Sequence, residues 1–128
     1  MKIDRRFTSR RQNPYEGITF VKRSSEIRNP DGSTVFKLEN IDVPEAWSQL
    51  AIDILAQKYF RKAGVPQRDQ NGQPAIGSDG KSVLGGERDA RQVFERMAGC
   101  WTHWGKSYGY FKTTDYAESF HDEMCYML

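Results

Sequence analysis

Apolar residues recur at three- and four-residue steps through the last third of the chain, in two runs. That spacing places them on one face of a helix. The first run therefore predicts a helix over about 87–106 and the second a helix over about 114–128. The first run contains Val93, Phe94, Met97, Trp101 and Trp104, and the second contains Tyr116, Ala117, Phe120, Met124 and Met127. We expect the two helices to form a helical hairpin.

Residues that end one helix and begin the next lie between the two runs. Gly105 and Gly109 allow the chain to turn, because glycine adopts left-handed backbone conformations at little cost. Thr113 or Thr114 then offers a hydroxyl that can cap the second helix. The second run is still apolar at Leu128, which predicts a helix that continues beyond the last residue of the sequence.

Shorter patterns in the first 40 residues predict strands. Ile18 and Phe20 alternate with polar neighbours, which is typical of a half-buried strand within residues 14–23. Residues 29–32, Asn-Pro-Asp-Gly, are a strong turn signal, because each residue type suits its position in a tight turn. The flanking segments are therefore the arms of a β-hairpin within about 15–40. A lone hairpin is marginally stable in water, so we expect it to pack against another element.

A third helix is predicted over about 44–62. It begins at Asp42-Val43-Pro44-Glu45, where proline is tolerated in a first helical turn and acidic residues favour the positive end of the helix dipole. Gly64 and Pro66 end it. Its apolar residues, from Trp47 to Phe60, occupy more than one face. We therefore expect this helix to be covered on two sides.

Residues 67–86 are polar and rich in glycine, with no visible periodicity or internal repeat, and we expect a flexible loop there. The predicted fold class is α+β: a small hairpin with short strands, followed by three main helices. A single domain spans residues 14–128, and residues 1–13 form a disordered arm. That arm is basic, because residues 1–11 carry a net charge of +4 against +2 for the whole chain.

The modest net charge makes nucleic acid an improbable partner, although the arm could contact phosphates. The chain has no signal-peptide pattern and no apolar run of the length that spans a membrane. Its only cysteines, Cys100 and Cys125, suggest no disulfide framework. We therefore expect a cytoplasmic protein with reduced thiols and no membrane association.

Two sets of residues resemble parts of known binding sites, but neither set matches its pattern well enough to predict a site. Gly80-Lys81-Ser82 resembles part of a phosphate-binding loop, but Ala75 stands where that pattern needs glycine. The pairs Cys100/His103 and His121/Cys125 have spacings found in zinc sites. Cys100 lies beside the apolar stripe, whereas helical geometry places His103 about 120° from its centre, so the four groups should diverge. We expect no metal site, no bound cofactor and no catalytic residue.

The junction of the two predicted helices is rich in aromatic residues, and we call it the aromatic corner: Trp101, Trp104, Tyr108, Tyr110 and Phe111. Such a cluster is more typical of packing or of a protein interface than of base stacking. The candidate packing or interface residues are Trp47, Tyr59, Phe60, Trp101, Trp104, Tyr110, Phe111, Phe120, Met124, Met127 and Leu128.

Longer segments carry a family resemblance. They are Arg5–Thr8, Pro14–Ile18, Ser25–Ser33, Val43-Pro44 with Trp47–Gln49, Asp53–Pro66, Arg91–Phe94, Trp101-x2-Trp104-Gly105, Gly109–Phe111 and Tyr126–Leu128. Together they resemble the N-terminal region of the bacterial vitamin B12-dependent (class II) ribonucleotide reductases. The resemblance covers nearly the whole chain except residues 67–86.

The resemblance implies a structural role within an enzyme that reduces ribonucleotides to deoxyribonucleotides by a radical mechanism begun by adenosylcobalamin. In that family a ten-stranded α/β barrel holds the catalytic cysteines, the substrate loops and the cofactor contacts, and all of these would follow Leu128. The chain would then scaffold the barrel and be inactive by itself. Its partners would be the barrel, in the same chain or in a separate subunit, and a second copy in a homodimer. The alternative is a stand-alone interaction module that docks onto a separate catalytic subunit.

Overall fold

The computed structural model describes all residues, Met1–Leu128. They divide into two compact units, one formed by Met1–Phe20 with Ala90–Leu128 and the other by Val21–Asp89. The elements in chain order are β1 (Phe20–Arg28), β2 (Thr34–Pro44), α1 (Gln49–Ile54) with a π-helical turn (Leu55–Tyr59), β3 (Val65–Pro66), β4 (Leu84–Gly85), α2 (Ala90–Ser107) and α3 (Thr114–Met127). Two small antiparallel sheets and the packing of α2 on α3 confirm the predicted α+β class.

Strands β1 and β2 form the predicted hairpin. Asn29 N–H donates to Ser33 O at 2.8 Å, and Gly32 has a φ of 86°, which explains the glycine at this corner. The strand predicted within residues 14–23 begins only at Phe20. Before it, the chain turns, with Ile18 N–H donating to Tyr15 O at 3.0 Å.

The third predicted helix is shorter than expected and begins later. Pro44 ends β2 instead of starting a helix, because Asp42 N–H donates to Arg88 O at 2.8 Å and holds this segment extended. Ser48 caps the helix by accepting from Ala51 N–H at 3.2 Å. The expectation of cover on two sides is wrong within this structure, because Leu50 is 69% exposed while Ile52 is fully buried.

Residues 65–86 are an ordered β-ribbon in the structure, which corrects the prediction of a flexible loop. Val65 pairs with Gly85 and Pro66 with Leu84. The backbone of three residues then closes a ring of hydrogen bonds: Gln67 N–H donates to Val83 O, Val83 N–H to Ala75 O, and Ala75 N–H to Gln67 O, all at 2.8–2.9 Å. Backbone pairing needs no apolar periodicity, and for that reason the hydrophobic pattern gave no sign of it.

One turn design occurs three times, although no repeat is visible in the sequence. The turns are residues 29–33, 69–73 and 77–81. In each, the backbone N–H of the first residue donates to the backbone carbonyl of the fifth residue. The fourth residue is always a glycine with a φ between 75° and 86°. An Asp side chain in each turn accepts a backbone N–H two residues ahead. The repeat is one of backbone geometry, carried by short Asp/Asn-Gly segments.

Helices α2 and α3 are joined by a tight corner within their unit. Gly109 has a φ of 67° and donates to Lys106 O, and Tyr110 N–H donates to Gly105 O at 2.8 Å. These two bonds form a Schellman motif, which ends α2. Thr113 caps α3 by accepting from Tyr116 N–H at 3.4 Å. Gly105 lies inside α2, where a Cβ atom would come within 2.3 Å of the Phe111 ring.

The buried faces of α2 and α3 differ from the predicted apolar stripes. Val93 and Phe94 are buried as expected, but α2 continues with small residues at Ala98, Thr102 and Gly105. On α3 the buried positions are Ala117, Ser119, Glu123 and Cys125. Small side chains allow close packing, which leaves the large aromatic and thioether groups of the predicted stripes partly or largely exposed. None of the helices has the length and apolar character that a membrane-spanning helix requires.

Candidate functional site

Three side chains of types that can bind a metal ion, from α2 and α3, lie close together. His121 Nε2 lies 3.1 Å from Glu95 Oε2 and 3.8 Å from Cys125 Sγ. The ligand atoms of all three residues lie within 4.8 Å of one another. His121 and Cys125 are four residues apart on α3, so they share a helix face, and Glu95 reaches them from α2. We call these three residues the acid–imidazole–thiol cluster.

Two further side chains orient the cluster. Tyr15 O–H donates to Glu95 Oε1 at 3.0 Å, and the Tyr15 ring is 92% buried between the edge of Phe20 and the tilted ring of Phe94. Asp122 Oδ1 lies 3.2 Å from His121 Nδ1. Each ring nitrogen of His121 therefore faces a carboxylate. Such an arrangement fixes the orientation of the imidazole ring.

These contacts shift the pKa values of the cluster. The hydrogen bond with Cys125 and the bond with Glu95 raise the pKa of His121 to about 11. The same bond from His121 lowers the pKa of Glu95. Burial, followed by the contacts with Cys125 and Glu95, raises the pKa of Tyr15 well above its usual value. In this arrangement the imidazole is a cation beside a carboxylate, and the phenol is a neutral donor.

The N-terminal arm is bound to α3, where we had expected disorder. Phe7 N–H and Thr8 N–H donate to the Glu123 carboxylate at 2.9–3.2 Å, and Thr8 Oγ1 donates to it at 2.6 Å. Arg5 forms an ion pair with Asp122 at 2.6 Å, with both side chains largely buried. Phe7 stacks on Tyr126 with ring centroids 5.1 Å apart. Glu123 is therefore a buried acid whose charge is satisfied by the arm.

A cavity of about 380 Å³ lies beside the cluster between α2 and α3. Its lining residues are Gly99, Thr102, His103, Lys106, Glu118, His121 and Asp122. Thr102 is 94% buried, and its hydroxyl has no hydrogen-bond partner within the protein. The Thr102 hydroxyl therefore leaves one unused hydrogen-bond donor and acceptor at this cavity.

The structure separates the four residues of the zinc pattern considered from the sequence. His121 and Cys125 join the cluster, whereas His103 is exposed and Cys100, expected beside the core, is also exposed. Cys125 is 99% buried. Sequence spacing could not indicate Glu95 or Tyr15, because they come from distant parts of the chain and their types are common on surfaces.

The candidate packing residues are divided between core and surface. Among them Phe60 is buried, and Trp47, Trp101, Phe111, Phe120, Met124 and Leu128 are half-buried. Phe111 and Phe120 are in contact, with ring centroids 5.3 Å apart. The remaining four, Tyr59, Trp104, Tyr110 and Met127, are between 52% and 61% exposed. Tyr108 at the aromatic corner is 72% exposed.

Comparison with known proteins assigns the chain to a family. The family model described as class II vitamin B12-dependent ribonucleotide reductase matches residues 21–128. The chain belongs to this family. Two vitamin B12-dependent ribonucleotide reductases, from Bradyrhizobium diazoefficiens and Agrobacterium fabrum, are each 49% identical to it. Each alignment is 144 positions long and covers the whole chain. The enzyme of that name from Streptomyces avermitilis is 30% identical over 130 aligned residues.

The chain spans only 11–12% of the length of these relatives. It corresponds to an N-terminal domain of class II ribonucleotide reductases, as the sequence resemblance predicted. These relatives are thus about eight to nine times longer than this chain.

Proposed function

We propose that this chain is a non-catalytic structural domain of an adenosylcobalamin-dependent ribonucleotide reductase that makes deoxyribonucleotides in the cytoplasm. The observation that carries the proposal is the family match over 21–128 in a chain that spans about an eighth of its relatives. Both cysteines are free, in keeping with a reducing compartment. In this proposal adenosylcobalamin and ribonucleotides bind to the rest of the enzyme.

The partner of this domain is proposed to be the catalytic barrel. Support comes from the aromatic and thioether side chains that α2, α3 and their corner leave exposed, with Trp104 53%, Tyr110 61% and Met127 57% exposed. Exposed Trp and Tyr side chains are typical of protein interfaces, where they contribute much of the binding energy. A second copy of the chain is the other partner that such a surface would accept.

A mixing experiment tests both parts of the proposal. The 128-residue chain is combined with the separately expressed remainder of a closely related reductase, and binding and deoxyribonucleotide formation are measured with adenosylcobalamin, ribonucleotide and a thiol reductant. We expect the chain alone to be inactive and to bind the remainder. Deoxyribonucleotide formation by the chain alone would refute the non-catalytic role.

Matched variants test the interface. Trp104→Ala should weaken binding to the remainder at least tenfold, because a half-exposed Trp in an interface is a typical hot spot. Leu84→Ala is the control, since Leu84 is 60% exposed on the β-ribbon and lies outside the proposed surface. Equal loss of binding in both variants, or in neither, would contradict the assignment of this surface.

A further inference from the structure

Tetrahedral zinc sites have characteristic distances between ligand atoms. With bonds of about 2.1 Å to nitrogen or oxygen and about 2.3 Å to sulfur, neighbouring ligand atoms lie about 3.4–3.6 Å apart. In the acid–imidazole–thiol cluster the corresponding distances are 3.1 Å between His121 Nε2 and Glu95 Oε2, and 3.8 Å between His121 Nε2 and Cys125 Sγ. Both distances from His121 are therefore close to tetrahedral spacing, and the ligand atoms of Glu95 and Cys125 lie within 4.8 Å of each other.

The surrounding residues leave the required ligand atoms facing inward. Tyr15 O–H donates a hydrogen bond to Glu95 Oε1, so Oε2 is the oxygen directed at His121. Asp122 Oδ1 is in hydrogen-bond contact with His121 Nδ1, so Nε2 is the nitrogen directed at the cluster. A carboxylate on the distal nitrogen of a metal-bound histidine is the usual support for such a ligand. Both supports are present here, and Tyr15, which supplies one of them, is 92% buried.

We propose that Glu95, His121 and Cys125 bind one Zn²⁺ ion that fastens α3 to α2, with water as the fourth ligand. Thiolate, imidazole and carboxylate are all ligands that zinc accepts, and the thiolate disfavours Mg²⁺ and Ca²⁺. On binding, the Cys125 thiol and the His121 imidazolium each release a proton to solvent, and no electron is transferred. The proposal replaces our expectation from the sequence that the chain holds no metal.

The zinc content of the protein provides the first test. After loading with one equivalent of ZnCl₂ and desalting, we expect about one zinc per chain by elemental analysis. Cys125→Ser and His121→Gln should lower this to under a tenth. Cys100→Ser and His103→Gln are matched controls, with the same residue types outside the cluster, and should retain full zinc. Loss of zinc in the controls, or no zinc in the folded wild-type protein, would overturn the proposal.

A second measurement needs no variant, and it decides the question where a cluster variant fails to fold. X-ray absorption at the zinc edge of the wild-type protein should show one sulfur and three nitrogen or oxygen ligands. A site without sulfur, or with two sulfurs, would overturn the assignment. For the supporting carboxylate, Asp122→Asn should weaken zinc affinity about 10- to 100-fold while keeping one site per chain.

Discussion

The two compact units bury different kinds of residues. The unit of residues 21–89 has a conventional core whose large members are Ile41, Val43, Ile52, Leu55 and Phe60. The α2–α3 unit buries Tyr15, Val93 and Phe94 as well, but most of its other buried helix positions are small residues, and the N-terminal arm satisfies its buried Glu123. Close helix packing and charge-assisted hydrogen bonds thus accompany large side chains that remain on the surface. A domain that must offer an apolar surface to a partner can be stabilised in this second way.

The largest effect should come from the conventional core. Ile52 is fully buried in α1, so Ile52→Ala should lower the free energy of unfolding by about 3–4 kcal/mol through lost burial and a cavity. Leu50→Ala on the same helix is the control, because Leu50 is 69% exposed and should cost under about 1 kcal/mol. Denaturant unfolding measures both. Similar costs for the two variants would show that the exposed side of α1 is covered in solution.

Glu123→Gln tests the stabilisation by charge. We expect a loss of about 2–3 kcal/mol, because the amide cannot accept all the bonds from Phe7 and Thr8. Glu118→Gln, an exposed position on α3, should change stability little. Thermal unfolding at pH 7 measures both. A loss no larger than that of Glu118→Gln would mean that the arm contributes nothing to stability.

The Glu123 contribution should also depend on pH. Burial alone would raise the pKa of Glu123, but the bonds from Thr8, Arg6 and Phe7 outweigh it and lower the pKa below its usual 4.5. A lowered pKa gives stability that is complete above about pH 4.5 and is lost as the pH falls through the folded-state pKa. The difference between wild type and Glu123→Gln should therefore be constant from pH 7 to 5 and shrink in acid. A difference that grows in acid would contradict the assignment.

Two glycines of α2 should respond in opposite directions. Gly105→Ala places a methyl group against the Phe111 ring and should cost about 1–2 kcal/mol. Gly99→Ala meets no atom within 4 Å and should stabilise α2 by about 0.5–1 kcal/mol, because alanine has the higher helix propensity. Equal stabilisation of both variants in thermal unfolding would show that the corner does not pack as closely as described.

A small effect is also expected in the β-ribbon. Gly80 has a φ of 75°, which alanine adopts only with strain, so Gly80→Ala should cost about 1 kcal/mol. Lys81→Ala, at the next position of the same turn, should be nearly neutral because Lys81 is exposed. Amide hydrogen exchange of the ribbon is the most sensitive measurement. Unchanged hydrogen exchange in Gly80→Ala would contradict the ordered ribbon and support the flexible loop that the sequence predicted for residues 67–86.

The sequence by itself determined the elements with local signals. The Asn29–Gly32 turn, a glycine corner after α2 and a threonine cap at residue 113 or 114 depend on backbone preferences of neighbouring residues. The family resemblance depends on long continuous segments. Apolar spacing also located α2 and α3, because helix periodicity is a property of a single segment.

Only the tertiary structure decided which faces are buried and which polar groups meet. Periodicity predicts an apolar stripe, but the close packing of the helices buries Ala98 and Gly105. Glu123 is buried because the arm binds its carboxylate. The pairing of Glu95 with His121 joins two helices, and the ring of bonds through Gln67 joins three segments. Such contacts form between residues far apart in the chain, whose spacing carries no local signal.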